Sequence, residues 1–325
     1  MGTDLVVLAP ASAAEAGPTV RDVFADWEQR FSRFQPDSEL SRVNGAAGQT
    51  VQVSPLFAEV TQVALAAAAA TDGLFDPTLE RRLVALGYDR TFAELPGDRP
   101  TGAAEVAATA GSSGAWRLVE LDAEAGTVRL PPGVGLDFGG LAKGMAVDAA
   151  LAALVASGAD GVAVNAGSDL AVQGKPPGAE AWSIVLDEVP GRPVIGLAEG
   201  ALASSSIDRR RWRADGAERH HLLDPRTGRP AASGIRAVTV AAPDCRRAEV
   251  ACKAALLLGP TAGPAFLERH RLAGLLVTDG GEVIAVGRWP GIVSDSGPGA
   301  ASGRDAVADR PDGTPVIAGA TETGP

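Results

Sequence analysis

The sequence is poor in the residues that build metal clusters. It holds two cysteines, Cys245 and Cys252, and three histidines in 325 residues. The cysteine spacing fits neither a zinc site nor a redox CxxC pair, so both read as small core residues, and no His/Cys metal cluster is expected. No run of eighteen apolar residues occurs, so no transmembrane segment is expected. The opening "MGTDLVVLAPAS" lacks the basic stretch and long apolar stretch of a signal peptide. The chain therefore reads as cytoplasmic, and a chain trimmed of its signal would read the same way. Positive charge is scarce as well. A net charge of −11 argues against a nucleic-acid partner held through its phosphates. It leaves room for a local basic pocket that takes a phosphate ligand. Neither a GxSxG elbow nor a GxxxxGK[ST] loop is present, which removes the usual serine hydrolase and P-loop readings.

What is there suits one large core or two smaller ones. The hydrophobic fraction of 46% excludes wholesale disorder, and 40 glycines with 23 prolines call for many turns. "TDLVVLAP" reads as a short strand. Residues 19–33 and 55–71 read as helices from their apolar spacing, the second with Ser54 as cap, Pro55 in its first turn and Gly73 past its end. "WRLVELDAEAGTVRL" alternates with period two around an Ala-Gly turn, as a hairpin does. A helix from about Lys143 to Ser157 precedes a buried strand "GVAVNAG". Further strands are expected in "WSIVLD", "PVIGLAEGALASSS" and "RAVTVAAP". Helices follow at 248–259 and near 261–271, then a last hairpin that turns at Asp279-Gly280-Gly281. Helices mixed with hairpins predict an α+β fold with mixed or antiparallel sheets. The stretch 291–325 turns to Gly, Pro, Ala, Ser, Thr and Asp and is expected to be disordered.

Several stretches could carry chemistry, and each has a plain structural reading beside it. In "LDFGGLAKGMAVD" two glycines precede a helix start, where free N–H groups and Lys143 suit a phosphate; a tight turn with a solvated lysine explains it too. "TDGLFDPTL" offers Asp76 to a ribose or base, or simply makes an Asx turn. "VNAGSDL" ends a buried strand at Asp169. "ERHHLLDPRTGRP" offers His221 as a general base and Asp224 as its orienter or a substrate contact, although "DPRTG" alone is good turn chemistry. "ALASSSIDRRRW" reads as a strand end or as a patch for an acidic partner. In "AEVACKAALLLG", Glu249 precedes Lys253 by four residues, a spacing that stabilises a helix surface by about 0.2–0.5 kcal/mol.

Taken in order, these blocks resemble the ApbE-type flavin transferases. "FSRFQPDSELSRVN", "GLFDPT", "LDFGGLAKGMAVD", "VNAGSDL" and "HHLLDPRTG" match five family blocks from Met1 to about Val286. The resemblance implies a transferase domain over 1–290, with two intimately packed α/β subdomains of T-fold-related architecture. It implies that FMN moves from FAD to a Ser/Thr hydroxyl of an acceptor protein carrying a flavinylation motif, with release of AMP. By position, Met1, Phe34, Leu74, Phe75, Asp76, Asp137, Lys143 and Leu222 would contact FAD. His221 and Asp224 would be catalytic. Gly140, through its carbonyl, and the positions of Glu249 and Lys253 would hold Mg²⁺.

The chain departs from the family pattern at four places. Ser168 replaces a glycine, and Phe34 stands where a tyrosine is usual. Glu249 and Lys253 stand where the family has Asp and Thr. A protonated ammonium has no lone pair and cannot coordinate, so Lys253 either spoils the ion site or takes the ion's place. An FAD-binding protein with lost or weak Mg²⁺-dependent catalysis, and an FAD pyrophosphatase giving FMN and AMP, are the alternatives.

Overall fold

A computed structural model describes residues 3–95, 97–98, 101, 114–289, 307–309 and 315–317. Seven strands form the central sheet: β1 (Leu5–Leu8), β2 (Val162–Ala166), β3 (Asp169–Gln173), β4 (Glu199–Ser206), β5 (Ile235–Ala242), β6 (Ala273–Thr278) and β7 (Val283–Val286). Their order in the sheet is their order in the chain, and every neighbouring pair is antiparallel. With hairpin joints and helices added, this is the α+β class that the sequence predicts.

Side chains alternate across a strand. In β2, Val162, Val164 and Ala166 enter a core shared with helices, while Ala163 enters one shared with Trp182, Ile184 and Ile195 of a smaller sheet. All five β2 residues are buried. The central sheet is covered on both faces, which is why its middle strands read as continuous apolar runs.

Four long helices pack around it: α1 (Ala16–Phe31), α2 (Pro55–Ala70), α3 (Ala142–Ala156) and α4 (Cys245–Arg269). In α1, Val20, Phe24, Trp27 and Phe31 form one buried stripe at helical spacing. Ser54 accepts from the Phe57 N–H and caps α2, as its position predicts. Asp244 caps α4 in the same way, through the Arg247 N–H. The two helices expected at 248–259 and 261–271 run on as α4 across a kink. Gly259 has φ 81° there, a conformation that only glycine adopts freely, and Pro260 opens the second part. By length and composition α4 could cross a membrane, but 61% of its most apolar window is buried within the protein. It is a core helix, with Ala251, Cys252, Ala255 and Leu256 packed against Val238 and Val240 of β5.

The stretch expected to be disordered contains two short strands, Val307–Asp309 and Pro315–Ile317, which pair with each other. The second lies parallel to Trp182–Val185 and buries Ile317 in the core around Trp182. An open sheet edge takes any chain with β-branched residues and unpaired backbone groups. The Gly/Ala/Ser content around Val316 and Ile317 hides that in the composition. The other residues of 291–325, apart from these strands, lie outside the described set.

Candidate functional site

A cavity of ≈ 460 Å³ opens beside the start of α3 and the middle of α4. Its wall includes Phe34, Leu74, Phe75, Asp76, Asp137, Gly140, Lys143, His221, Leu222, Glu249 and Lys253, so the turn before Lys143 and the helix bearing Glu249 meet there. Met1 falls outside the described residues.

The Asp137–Gly140 turn is held by its own carboxylate. Asp137 accepts from the Gly139 N–H at 2.7 Å and from Arg33 Nε at 2.8 Å. The Arg33 guanidinium lies over the Phe34 and Tyr88 rings, 4.2 and 4.5 Å from their centroids. Asp137 is thus at the cavity wall but serves first to shape the turn. Asp76 does likewise. One oxygen accepts from the Thr78 N–H and hydroxyl, the other from the Gly114 N–H. Its Asx turn is real, and the turn lies at the cavity.

Lys143 has three N–H donors and three acceptors: the Asp169 carboxylate, Ser168 Oγ at 3.2 Å and the Ala166 carbonyl at 3.3 Å. Burial opposes its charge, but Asp169 and Glu249 outweigh burial and raise its pKa, so it stays an ammonium. Burial, with Glu249, pushes the Asp169 carboxyl up.

Glu249 is 3% exposed. One of its oxygens accepts from the Gly144 N–H and the other from Lys253 Nζ, each at 3.1 Å. The Lys253 stem presses on the turn: a Cβ added to Gly140 would stand 2.8 Å from Lys253 Cε.

These residues do not fit a divalent ion. An ammonium, which has no lone pair, stands where a ligand would be needed and already holds Glu249, and among the described residues no group of three His, Cys, Asp or Glu gathers.

His221 is half-buried at the cavity, and its Nδ1 is out of solvent with no hydrogen-bond partner. Burial drives its pKa well below 6.5, and Arg210 and Lys253 push the same way, so the ring is neutral. Its neighbour His220 bonds the Ala231 carbonyl instead and is not part of the wall.

Asp224 is absent from the cavity wall, and both its oxygens are engaged by Arg226 within the Asp-Pro turn. Sequence reasoning missed Arg33, and it left Ser204–Ser206 and Arg210 as a strand end or surface patch although all of them line the cavity. The strand that ends in three serines was the available sign.

The arrangement defines a class first: an α+β protein whose cavity joins apolar walls to a cluster of lysines and carboxylates, suited to a ligand with rings and phosphates. The ApbE family model matches residues 1–289, and the chain belongs to that family. It is 31% identical over 248 residues to the FAD:protein FMN transferase of Chlamydia trachomatis, covering 74% of this chain and 75% of the relative. It is also 31% identical over 280 residues to the protein of that name from Rhodobacter capsulatus, covering 84% and 51%. Among solved structures, the ApbE protein of Thermotoga maritima superposes with a TM-score of 0.78 at 28% identity, covering 88% of this chain and 94% of the other.

Proposed function

We propose that the protein is an FAD:protein FMN transferase. The observation that carries this is the meeting, in one cavity, of the glycine turn before Lys143, the Glu249 segment of α4 and a neutral, half-buried His221. FAD lies with its pyrophosphate between the turn and α4, and Phe34, Leu74, Phe75 and Leu222 supply contact for its rings. A Ser/Thr hydroxyl of an acceptor protein attacks the phosphorus on the riboflavin side. The new O–P bond forms as the P–O bond to the AMP phosphate breaks, AMP leaves with the electron pair, and the hydroxyl proton passes to His221. Charge grows on the leaving phosphate, so fixed cations and N–H donors aimed there do most of the catalytic work. Since the residues at the family's ion position do not fit Mg²⁺, no step is assigned to it.

The test uses the purified protein, FAD and an acceptor domain with a Ser/Thr flavinylation motif. Intact mass of the acceptor and chromatography of AMP are the readouts. One FMN gained per AMP released is expected. AMP release without any acceptor would identify a pyrophosphatase, and tight FAD binding with no AMP a binder. His221→Ala should slow transfer by about 10²–10⁴-fold with FAD affinity unchanged; full transfer in that variant would remove His221 from the mechanism.

A further inference from the structure

We propose that the Lys253 ammonium is the resident cation of this cavity, and that FAD binds and reacts here without a divalent ion. The inference rests on the FAD reading above and concerns what neutralises the pyrophosphate.

The carboxylates of Asp169 and Glu249 and the ammoniums of Lys143 and Lys253 lie in electrostatic reach of one another, and the Arg210 guanidinium at the cavity wall acts on Lys143 as well. Two ammoniums thus match the two carboxylates from within the chain before Arg210 is counted, so the acids leave no negative charge to draw in a metal ion.

The two lysines differ in what they have left to offer. Each ammonium has three donors and no acceptor. Those of Lys143 meet Asp169, Ser168 and the Ala166 carbonyl. Lys253 gives one to Glu249, and its other two have no acceptor among the described residues, although Lys253 lines the cavity. Its stem is set against Gly140, so the head is held between the glycine turn and Glu249. Two N–H donors held at that point suit two phosphate oxygens. A metal ion at the same point would meet a like charge that is already seated on Glu249. The ammonium thus does two things: it donates to the ligand and it excludes the ion.

The experiment compares wild type with Lys253→Thr, which removes the ammonium and offers a hydroxyl oxygen, and with Lys253→Arg, which keeps the charge. Mn²⁺ is titrated into each metal-stripped protein and followed by electron paramagnetic resonance. FAD affinity is measured by fluorescence in EDTA and in excess Mg²⁺. Wild type and Lys253→Arg are expected to retain no Mn²⁺, and wild-type FAD affinity to agree within about twofold between the two buffers. Lys253→Thr is expected to gain one Mn²⁺ per chain and to bind FAD at least tenfold more tightly with Mg²⁺ than in EDTA. One Mn²⁺ bound per wild-type chain, a tenfold loss of wild-type FAD affinity in EDTA, or a Lys253→Thr protein that gains no ion would each overturn the proposal. If FAD binds in neither buffer, the transferase reading and ion-free FAD binding both fall, while the Mn²⁺ titrations still decide whether Lys253 takes the ion's place.

Discussion

Two lysine–carboxylate pairs sit at one end of the same cavity and look alike by burial. The side chains of Lys143 and Asp169 are 12% and 1% exposed, those of Lys253 and Glu249 17% and 4%. They differ in how they are built. The first joins α3 to β3 across 26 residues of chain, and its ammonium is saturated by protein acceptors. The second lies along one turn of α4 and leaves two donors toward the cavity. A saturated pair fixes the fold, and an unsaturated one is available to a ligand. Burial does not separate these roles, but counting donors against acceptors does.

The comparison is broken most directly at Lys143. Lys143→Met would strand the Asp169 carboxylate, which is 0% exposed, and removing one partner of a buried pair costs about 3–5 kcal/mol. Lys253→Met leaves Glu249 with the Gly144 N–H and an open cavity, and should cost about 1.5–3 kcal/mol while weakening FAD binding more than tenfold. Urea denaturation of both variants checks the order; equal losses would erase the distinction. The Lys143 pair also has a pH signature. Its folded pKa lies above the ordinary 10.5. Below 10.5 both folded and unfolded chains hold the proton and the full contribution is present. As pH rises past 10.5 the unfolded chain releases its proton first, and stability falls until the folded value is passed. Denaturation between pH 9 and 11 should show this decline in wild type, and a flatter profile in Lys143→Met.

A smaller effect sharpens the role of the second pair. In Gly140→Ala the new Cβ would stand 2.8 Å from Lys253 Cε, so the ammonium must shift while the fold stays intact. FAD affinity should fall several-fold with thermal stability changed by little. An unchanged affinity would mean that the position of the Lys253 head does not matter to the ligand.

Much of this was legible in the sequence, for reasons that are local. The cap at Ser54, the break at Gly259-Pro260 and the turn at Asp279-Gly280-Gly281 are each set by residues a few positions apart. The five blocks gave the cavity, and the i, i+4 spacing of Glu249 and Lys253 gave their pair. What stayed hidden depends on distant partners. Nothing near Lys143 in the chain shows that Asp169 and Ser168 would use up its donors. Nothing near Arg33 shows that it would brace Asp137 and cover Phe34 and Tyr88. Asp76 and Asp137 show the converse. Their local turn readings hold and they still lie at the cavity, so structural and functional readings of one residue are not exclusive.

Asp224 marks the lower bound of the comparison. It is a third charged pair close in sequence to His221, yet its partner Arg226 is 55% exposed and both its oxygens are already bonded within the turn. An exposed pair of this kind is worth about 0–1 kcal/mol. The turn's backbone bonds, from the Thr227 and Gly228 N–H groups to the Asp224 carbonyl, do not involve its side chain. Asp224→Asn keeps an acceptor for the Arg226 N–H, so it should lower stability by less than about 1 kcal/mol and leave FMN transfer unchanged. A tenfold loss of transfer in Asp224→Asn, with FAD affinity intact, would return that carboxylate to the catalytic set and show that His221 does not work alone.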